Sequence, residues 1–454
     1  MSFAGKCGVA VSKGIADSLG DVFFLCPCRR TVKESLIHAK IFPLTVEWVR
    51  TYLLLRGRSR RGLPVAAPGG GPRSGGRGVA RREILPGTSF PPPLRLTLIS
   101  VSLRVPSRCG QPGGRGGEPL HIPENYLSPQ TCAVMGAAML PVWLIAVSKV
   151  KKEIPRERLP LLGIGAAFSF LAMMFNLPLP GGTTGHAVGG VLLALLFGPW
   201  GACLAVSTAL FVQALFFGDG GILAFGANCF NMAFALPFAG WAVARAVRRV
   251  LPEHALVAAG AGAYAGINLA ALLAAIEFGV QPLLFHDAAG QALYCPYPLS
   301  VSIPAMMVGH LTLFGFAEVV FTTAVLAYLK KAAPELASGA RARAPRAVYG
   351  LLALLIAATP LGLLAAGTAW GEWDAEELRE TAELGAPLGY TPAGMVQGFE
   401  LPALLPDYAV AGMPEALGYI LSAVIGTALL VIFFKLVATL RRPHTDYGAP
   451  SAGG

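Results

Sequence analysis

The chain has 454 residues, 54% of them hydrophobic and 13% charged, where a soluble domain is about a quarter charged. Mean hydropathy is +0.59, and apolar runs near or above about 18 residues recur through the second half, which excludes a soluble globular fold and indicates a polytopic membrane protein. The net charge of +11 is not a nucleic-acid footprint: residues 1–120 hold 19 of the 36 Lys+Arg and 6 of the 25 Asp+Glu, leaving 17 and 19 for residues 121–454.

Residues 1–119 read as a basic, low-complexity leader, with Arg56-Gly-Arg-Ser-Arg-Arg-Gly62, a Gly-rich run at 69–77 and Pro91-Pro-Pro93. No apolar period lasts long enough there to build a core. The segment is either a disordered basic tail on an anionic surface, a targeting peptide, or DNA translated upstream of the true start. The targeting reading is poor because no charged stretch, apolar run and small-residue cleavage site follow one another at the start. The third reading is preferred, with the codon of Leu120 serving as an alternative start and decoded as Met. The eight cysteines (Cys7, Cys26, Cys28, Cys109, Cys132, Cys203, Cys229 and Cys295) include no C-x2-C pair, so their spacing gives no zinc or disulfide framework.

The body predicts an all-α polytopic bundle of about seven core spans and two C-terminal spans. Pro129 suits the start of the first, 131–148. A basic loop with Lys149, Lys151, Lys152, Arg156 and Arg158 follows, then spans 159–177, 187–197, 202–217, 224–243, 254–278 and 301–329. The last two spans are 348–369 and 415–436. From residue 121 onward every Lys and Arg except Arg379 falls on one side, which the positive-inside rule makes cytoplasmic. His121 and His186 then share the outer face. The stretch 178–186, Pro-Leu-Pro-Gly-Gly-Thr-Thr-Gly-His, cannot be a regular helix. It reads as a tight turn with an incidental histidine or as half of a site.

Polar residues kept inside a bilayer tend to face a site or each other. Gln213, Asn228 and Asn231 lie near the outer ends of two spans. Glu277, His310 and Glu318 are read as structural, and His254, His286 and His444 as solvated. No H-E-x-x-H or G-x-x-x-x-G-K-[ST] motif is present. Gly181-Gly-Thr-Thr-Gly185 could cradle an anion, but no lysine stands beside it.

Together, His121-Ile-Pro123, Leu127-Ser-Pro129, Pro180-Gly-Gly-Thr-Thr-Gly-His186, Gly198-Pro199, Gln213 with Gly218-Asp-Gly-Gly221, and Gly226-Ala-Asn-Cys-Phe-Asn-Met232 resemble the CbiM/NikM family. These are the substrate-capturing membrane components of energy-coupling-factor cobalt and nickel transporters. The resemblance covers about 121–330 and implies a metal domain over 120–335. It implies four nitrogen ligands: the amine of residue 120 (Leu120 read as the initiator Met), the amide and ring Nδ1 of His121, and the ring of His186. Square-planar nitrogen ligation suits Ni(II) or Cu(II), and Co(II) can be accommodated. Gln213, Asn228 and Asn231 would support the ligands. No resident cofactor is implied, since the metal is cargo.

The implied partners are a transmembrane coupling subunit (CbiQ/NikQ-like) and cytoplasmic ATP-binding subunits (CbiO/NikO-like), so the chain itself is not an enzyme. Residues 345–454 look like a two-span accessory module, CbiN/NikN-like or related. Its outer loop carries Glu372, Asp374, Glu376, Glu377, Glu380, Glu383, Glu400, Asp407 and Glu415 against one arginine. That loop is either a solvated exterior or a cation attractor. The alternative function is a capture component for an organic vitamin, which would have no need of His121 and His186.

Overall fold

The computed structural model describes residues 121–179, 183–337, 345–365, 369–373, 375–380, 387–399 and 401–441. The leader, Leu120, Asp374, Glu383, Glu400 and His444 lie outside the described residues. In chain order the elements are α1 (Pro129–Glu153), α2 (Leu159–Met173), β1 (Leu177–Leu179), β2 (Thr183–Gly185) and α3 (Gly190–Phe217). Then come α4 (Phe225–Val250), α5 (Ala255–Leu284), α6 (Leu299–Ala332), α7 (Arg346–Leu364) and α8 (Glu415–Leu440). All the helices named except α2 are long and apolar enough to cross a bilayer, seven among the described residues.

The start of α1 is set locally. Ser128 Oγ accepts the Thr131 N–H at 3.1 Å, and Pro129 takes a first-turn position where no N–H is needed. α2 is buried along its whole length except at Pro160. Its 15 residues reach only about 22 Å, and the chain continues as an antiparallel hairpin with Pro178 opposite Thr184. Thr184 and Gly185 of β2 are buried, whereas Pro178 of β1 is exposed. The described residues of the Pro- and Gly-rich stretch thus form an antiparallel pair within an otherwise helical body, while Pro180, Gly181 and Gly182 lie outside the described residues.

α3 holds two of the predicted passes as two helical segments joined at a kink. Gly198 interrupts it at φ 78° and ψ 161°, a region essentially restricted to glycine. Just before α3, Ser169 of α2 donates to the Val188 carbonyl at 2.7 Å. A Cβ on Gly201 would press on Phe197, Ile154 and Leu162, near the other end of α2. At the far end Phe217 lies beside Phe170 again, with ring centroids 5.6 Å apart. Residues 190–197 therefore run toward the basic end of the bundle and 199–217 run back.

Small residues set the helix spacing. A Cβ on Gly262 of α5 would meet the Gly240 carbonyl oxygen of α4 at 2.4 Å, and one on Gly163 of α2 would meet Phe434 Cβ of α8 at 2.8 Å. At the basic end Arg441 donates to the Ile154 carbonyl at 2.8 Å and Arg156 donates to the Ala438 carbonyl at 2.6 Å. The C-terminal helix α8 is therefore built against α2 and not appended beside it. Cys132, Cys203, Cys229 and Cys295 are buried free thiols, and His254 and His286 are exposed. Gly262→Val is expected to push α4 and α5 apart and lower the melting temperature in detergent by several degrees. Gly350→Ala, with nothing within 4 Å of its added methyl, is expected to be neutral or slightly stabilising; equal melting of both variants would contradict the close crossing.

Candidate metal centre

The segment 121–124 has no secondary structure of its own, so its backbone groups need other partners. Asn228 supplies two: its Oδ1 accepts the Ile122 N–H at 2.9 Å and its Nδ2 donates to the Ile122 carbonyl at 3.1 Å. The same carbonyl accepts the Gly221 N–H at 2.9 Å. In return, Glu124 accepts the N–H groups of Ile222 at 2.6 Å and Leu223 at 3.2 Å. Burial pushes the Glu124 carboxyl up, against those two backbone bonds. The turn 218–221 can lie flat on the segment only without side chains. Gly220 has φ +81°, and a Cβ there would stand 3.0 Å from His121 Cβ; on Gly221 it would stand 2.8 Å from Glu124 Cα.

His186 reaches the same place from the hairpin. A Cβ on Gly185 would strike the Phe314 ring at 2.7 Å, so the strand rests directly on α6. The Glu318 carboxylate accepts the N–H groups of Val188 at 2.7 Å and Gly189 at 3.0 Å, which fixes the turn after His186. The rings of His121 and His186 then stand 5.2 Å apart, with the residues 2% and 3% exposed.

The hydrogen bonds decide which ring nitrogens are bare. His186 Nδ1–H donates to the Ala187 carbonyl at 3.2 Å, and its buried Nε2 has no partner. Burial holds its pKa well below the usual histidine value, so this imidazole stays neutral and its lone pair free. His121 Nδ1–H donates to Asp219 Oδ1, and its Nε2 is likewise buried without a partner. A chelate closing on Nδ1 of His121 requires that ring to turn from this pairing.

Asp219 is a hub. Its Oδ2 accepts Gln213 Nε2–H at 2.9 Å and the hydroxyl of Tyr408, while Gln213 also donates to Tyr408 Oη at 3.0 Å. Asn231 Nδ2 donates to Glu277 at 2.9 Å. Asn231, His186 and His310 face a cavity of about 30 Å3, and His310 Nδ1–H donates to the Met306 carbonyl at 2.8 Å. Gln213, Asn231 and His310 each sit in a π-helical turn, a local widening common at functional sites.

Of the residues proposed from sequence, the structure unites His121 and His186, ties Asn228 to the His121 segment and places Gln213 on Asp219. Asn231 stands one step away on Glu277, and Leu120 lies outside the described residues. Sequence reasoning missed Asp219 and Tyr408 as site residues. Asp219 was visible only as part of a Gly-rich turn, and Tyr408 lies 189 residues away from it. Among the described residues no three His, Cys, Asp or Glu side chains converge as a metal cluster; the side chains here contribute two imidazoles.

A family model described as "Cobalt uptake substrate-specific transmembrane region", CbiM, matches residues 121–336. The chain is 52% identical over 330 residues to the "Probable fused nickel transport protein LarMN" of Lactiplantibacillus plantarum, covering 72% of this chain and 99% of that protein. The chain belongs to the CbiM/NikM family. It is also 50% identical over 340 residues to the "Fused nickel transport protein NikMN" of Rhodobacter capsulatus, covering 71% of this chain and 98% of that one. A crystal structure of a truncated transition metal transporter is 55% identical, covers 47% of this chain and 99% of that chain, and has a TM-score of 0.45. Residues 345–443 match the PDGLE domain, which identifies the C-terminal module by a model of its own. This CbiM/NikM chain should lose about 10–100-fold in Ni(II) affinity on Asn228→Ala, the range seen when a group orienting a metal ligand is removed. Equilibrium dialysis checks this, and wild-type affinity would show that the segment is held by other contacts.

Proposed function

We propose that this multi-pass membrane protein captures Ni(II) or Co(II) as the substrate-binding component of an ATP-driven energy-coupling-factor transporter. The observation that carries the reading is the pair of buried, neighbouring imidazoles, with the Nε2 of His186 bare. The names of the fused relatives, nickel transport proteins at 50% identity or above, support it. The proposed ligands are the amine of residue 120, the amide and ring Nδ1 of His121 and the ring of His186, the His121 ring turning from Asp219 for its Nδ1 to join them. An amine ligand needs a chain whose first residue is 120.

The same proposal places the site on the outer face of the cytoplasmic membrane, opposite the basic loops. No energy source belongs to the capture step. ATP hydrolysis falls to cytoplasmic ATP-binding subunits, working through a transmembrane coupling subunit. The acidic outer loop of the C-terminal module raises the local cation concentration. The cavity beside His186, about 30 Å3, has room for an ion or a water and not for a vitamin ring system. His121→Ala and His186→Ala should each abolish high-affinity Ni(II) and Co(II) binding in equilibrium dialysis of the purified chain. Retention of tight metal binding by either variant would overturn the assignment.

A further inference from the structure

We propose that the cavity beside His186 is a second, weaker metal subsite, in which the ion keeps His186 and takes His310 Nε2 and Asn231 Oδ1 as further ligands. The inference rests on the metal-capture reading above and adds an inner stop for the same cargo. His186, Asn231 and His310 line one cavity of about 30 Å3, and Asn231 and His310 are 2% and 4% exposed. Each of the three keeps a lone pair. His186 Nε2 and Asn231 Oδ1 are buried without a partner, and Asn231 is oriented by Glu277, which accepts its Nδ2–H at 2.9 Å. His310 donates its Nδ1–H to the Met306 carbonyl at 2.8 Å, so Nε2 carries the lone pair of that ring. A water has two protons and answers two of these acceptors; a divalent cation answers all three. Imidazole nitrogen suits Ni(II), and an amide oxygen adds a neutral ligand.

The cavity leads from the capture site into the bundle. Ala270, Ala271 and Ala274 form its α5 wall, small residues at helical spacing on one face. His310 stands about 16 Å along α6 from Leu299, and the far end of that helix carries Lys330 and Lys331. Asn231 and His310 both sit in π-helical turns, which shift a side chain off the register of a regular helix. Passage between the two sites is a ligand exchange. Metal bonds to residue 120 and to the amide and ring of His121 break, and bonds to His310 Nε2 and Asn231 Oδ1 form. The released nitrogens take back from water the protons that capture displaced. Neutral ligands replace an ionised amide, so the inner subsite is the weaker one.

The test uses the full chain in detergent and Co(II) alone as probe, with affinity read by chelator competition and the site by its visible absorption. His121→Ala removes the capture ring and should leave a weak Co(II) site with a band of its own. Adding His310→Ala should weaken that site on the order of tenfold or more and abolish the band. Adding His286→Ala instead, an exposed histidine, should change neither. Equal affinity and spectra with and without His310 in the His121→Ala chain would overturn the inner subsite. So would loss of the weak binding on His286→Ala, or no Co(II) binding by His121→Ala while the wild type binds tightly. Tight binding by His186→Ala would instead overturn the capture reading, and this proposal with it. Should the His121→Ala/His310→Ala chain not accumulate, Ala274→Val in the His121→Ala chain fills the cavity from the α5 wall and should weaken Co(II) severalfold; unchanged affinity would count equally against the proposal.

Discussion

The site depends on how a few residues with no regular structure are buried without stranding their backbone. An amide that loses water and gains no partner costs on the order of 1–3 kcal/mol, so the segment 121–124 can enter the bundle only if the bundle answers its polar groups. The Asn228 side-chain amide does this with one donor and one acceptor on Ile122, and Glu124 binds the turn that covers the segment. Glycine at 220 and 221 brings that turn close enough. The exchange is reciprocal: the segment completes the turn as the turn completes the segment, and His121 is carried into the interior as a consequence.

The rest of the bundle serves the other half of the site. α2 is short and buried at every residue but Pro160, which leaves room above it for the hairpin that delivers His186. α6 receives the hairpin at Phe314 and anchors the following turn through Glu318. α8 closes against α2 through Gly163 and Gly426, whose missing side chains admit Phe434 and Phe170, and this brings the C-terminal module over Asp219. The two imidazoles are thus set by separate supports that meet only at the site. Burial then keeps His186 neutral, the form a metal ligand must have.

Much of this was legible in the sequence. Apolar run lengths gave the helical membrane body, and the one-sided lysines and arginines put His121 and His186 on one face before any contact was known. The in-order motifs named both histidines and the amides around them. What could not be read has physical causes. Proline and glycine announced a break at 178–186 but carried no alternation from which a hairpin could be inferred. The π-helical turns at Gln213, Asn231 and His310 leave no mark on a pattern of period 3.6. Glu318, read as structural, holds the turn beside His186. Asp219 and Tyr408 meet only because α8 folds back across α2, a tertiary event that no local spacing encodes.

The central claim is that two imidazoles and backbone nitrogen, with no sulfur, hold the captured ion. Nickel K-edge X-ray absorption of the Ni(II)-loaded chain tests it most directly. The account predicts a first shell of nitrogen scatterers with the outer-shell pattern of two imidazole rings, falling to one ring in His186→Ala if weak binding persists at high nickel. A sulfur scatterer in the first shell, or a shell without imidazole, would contradict it.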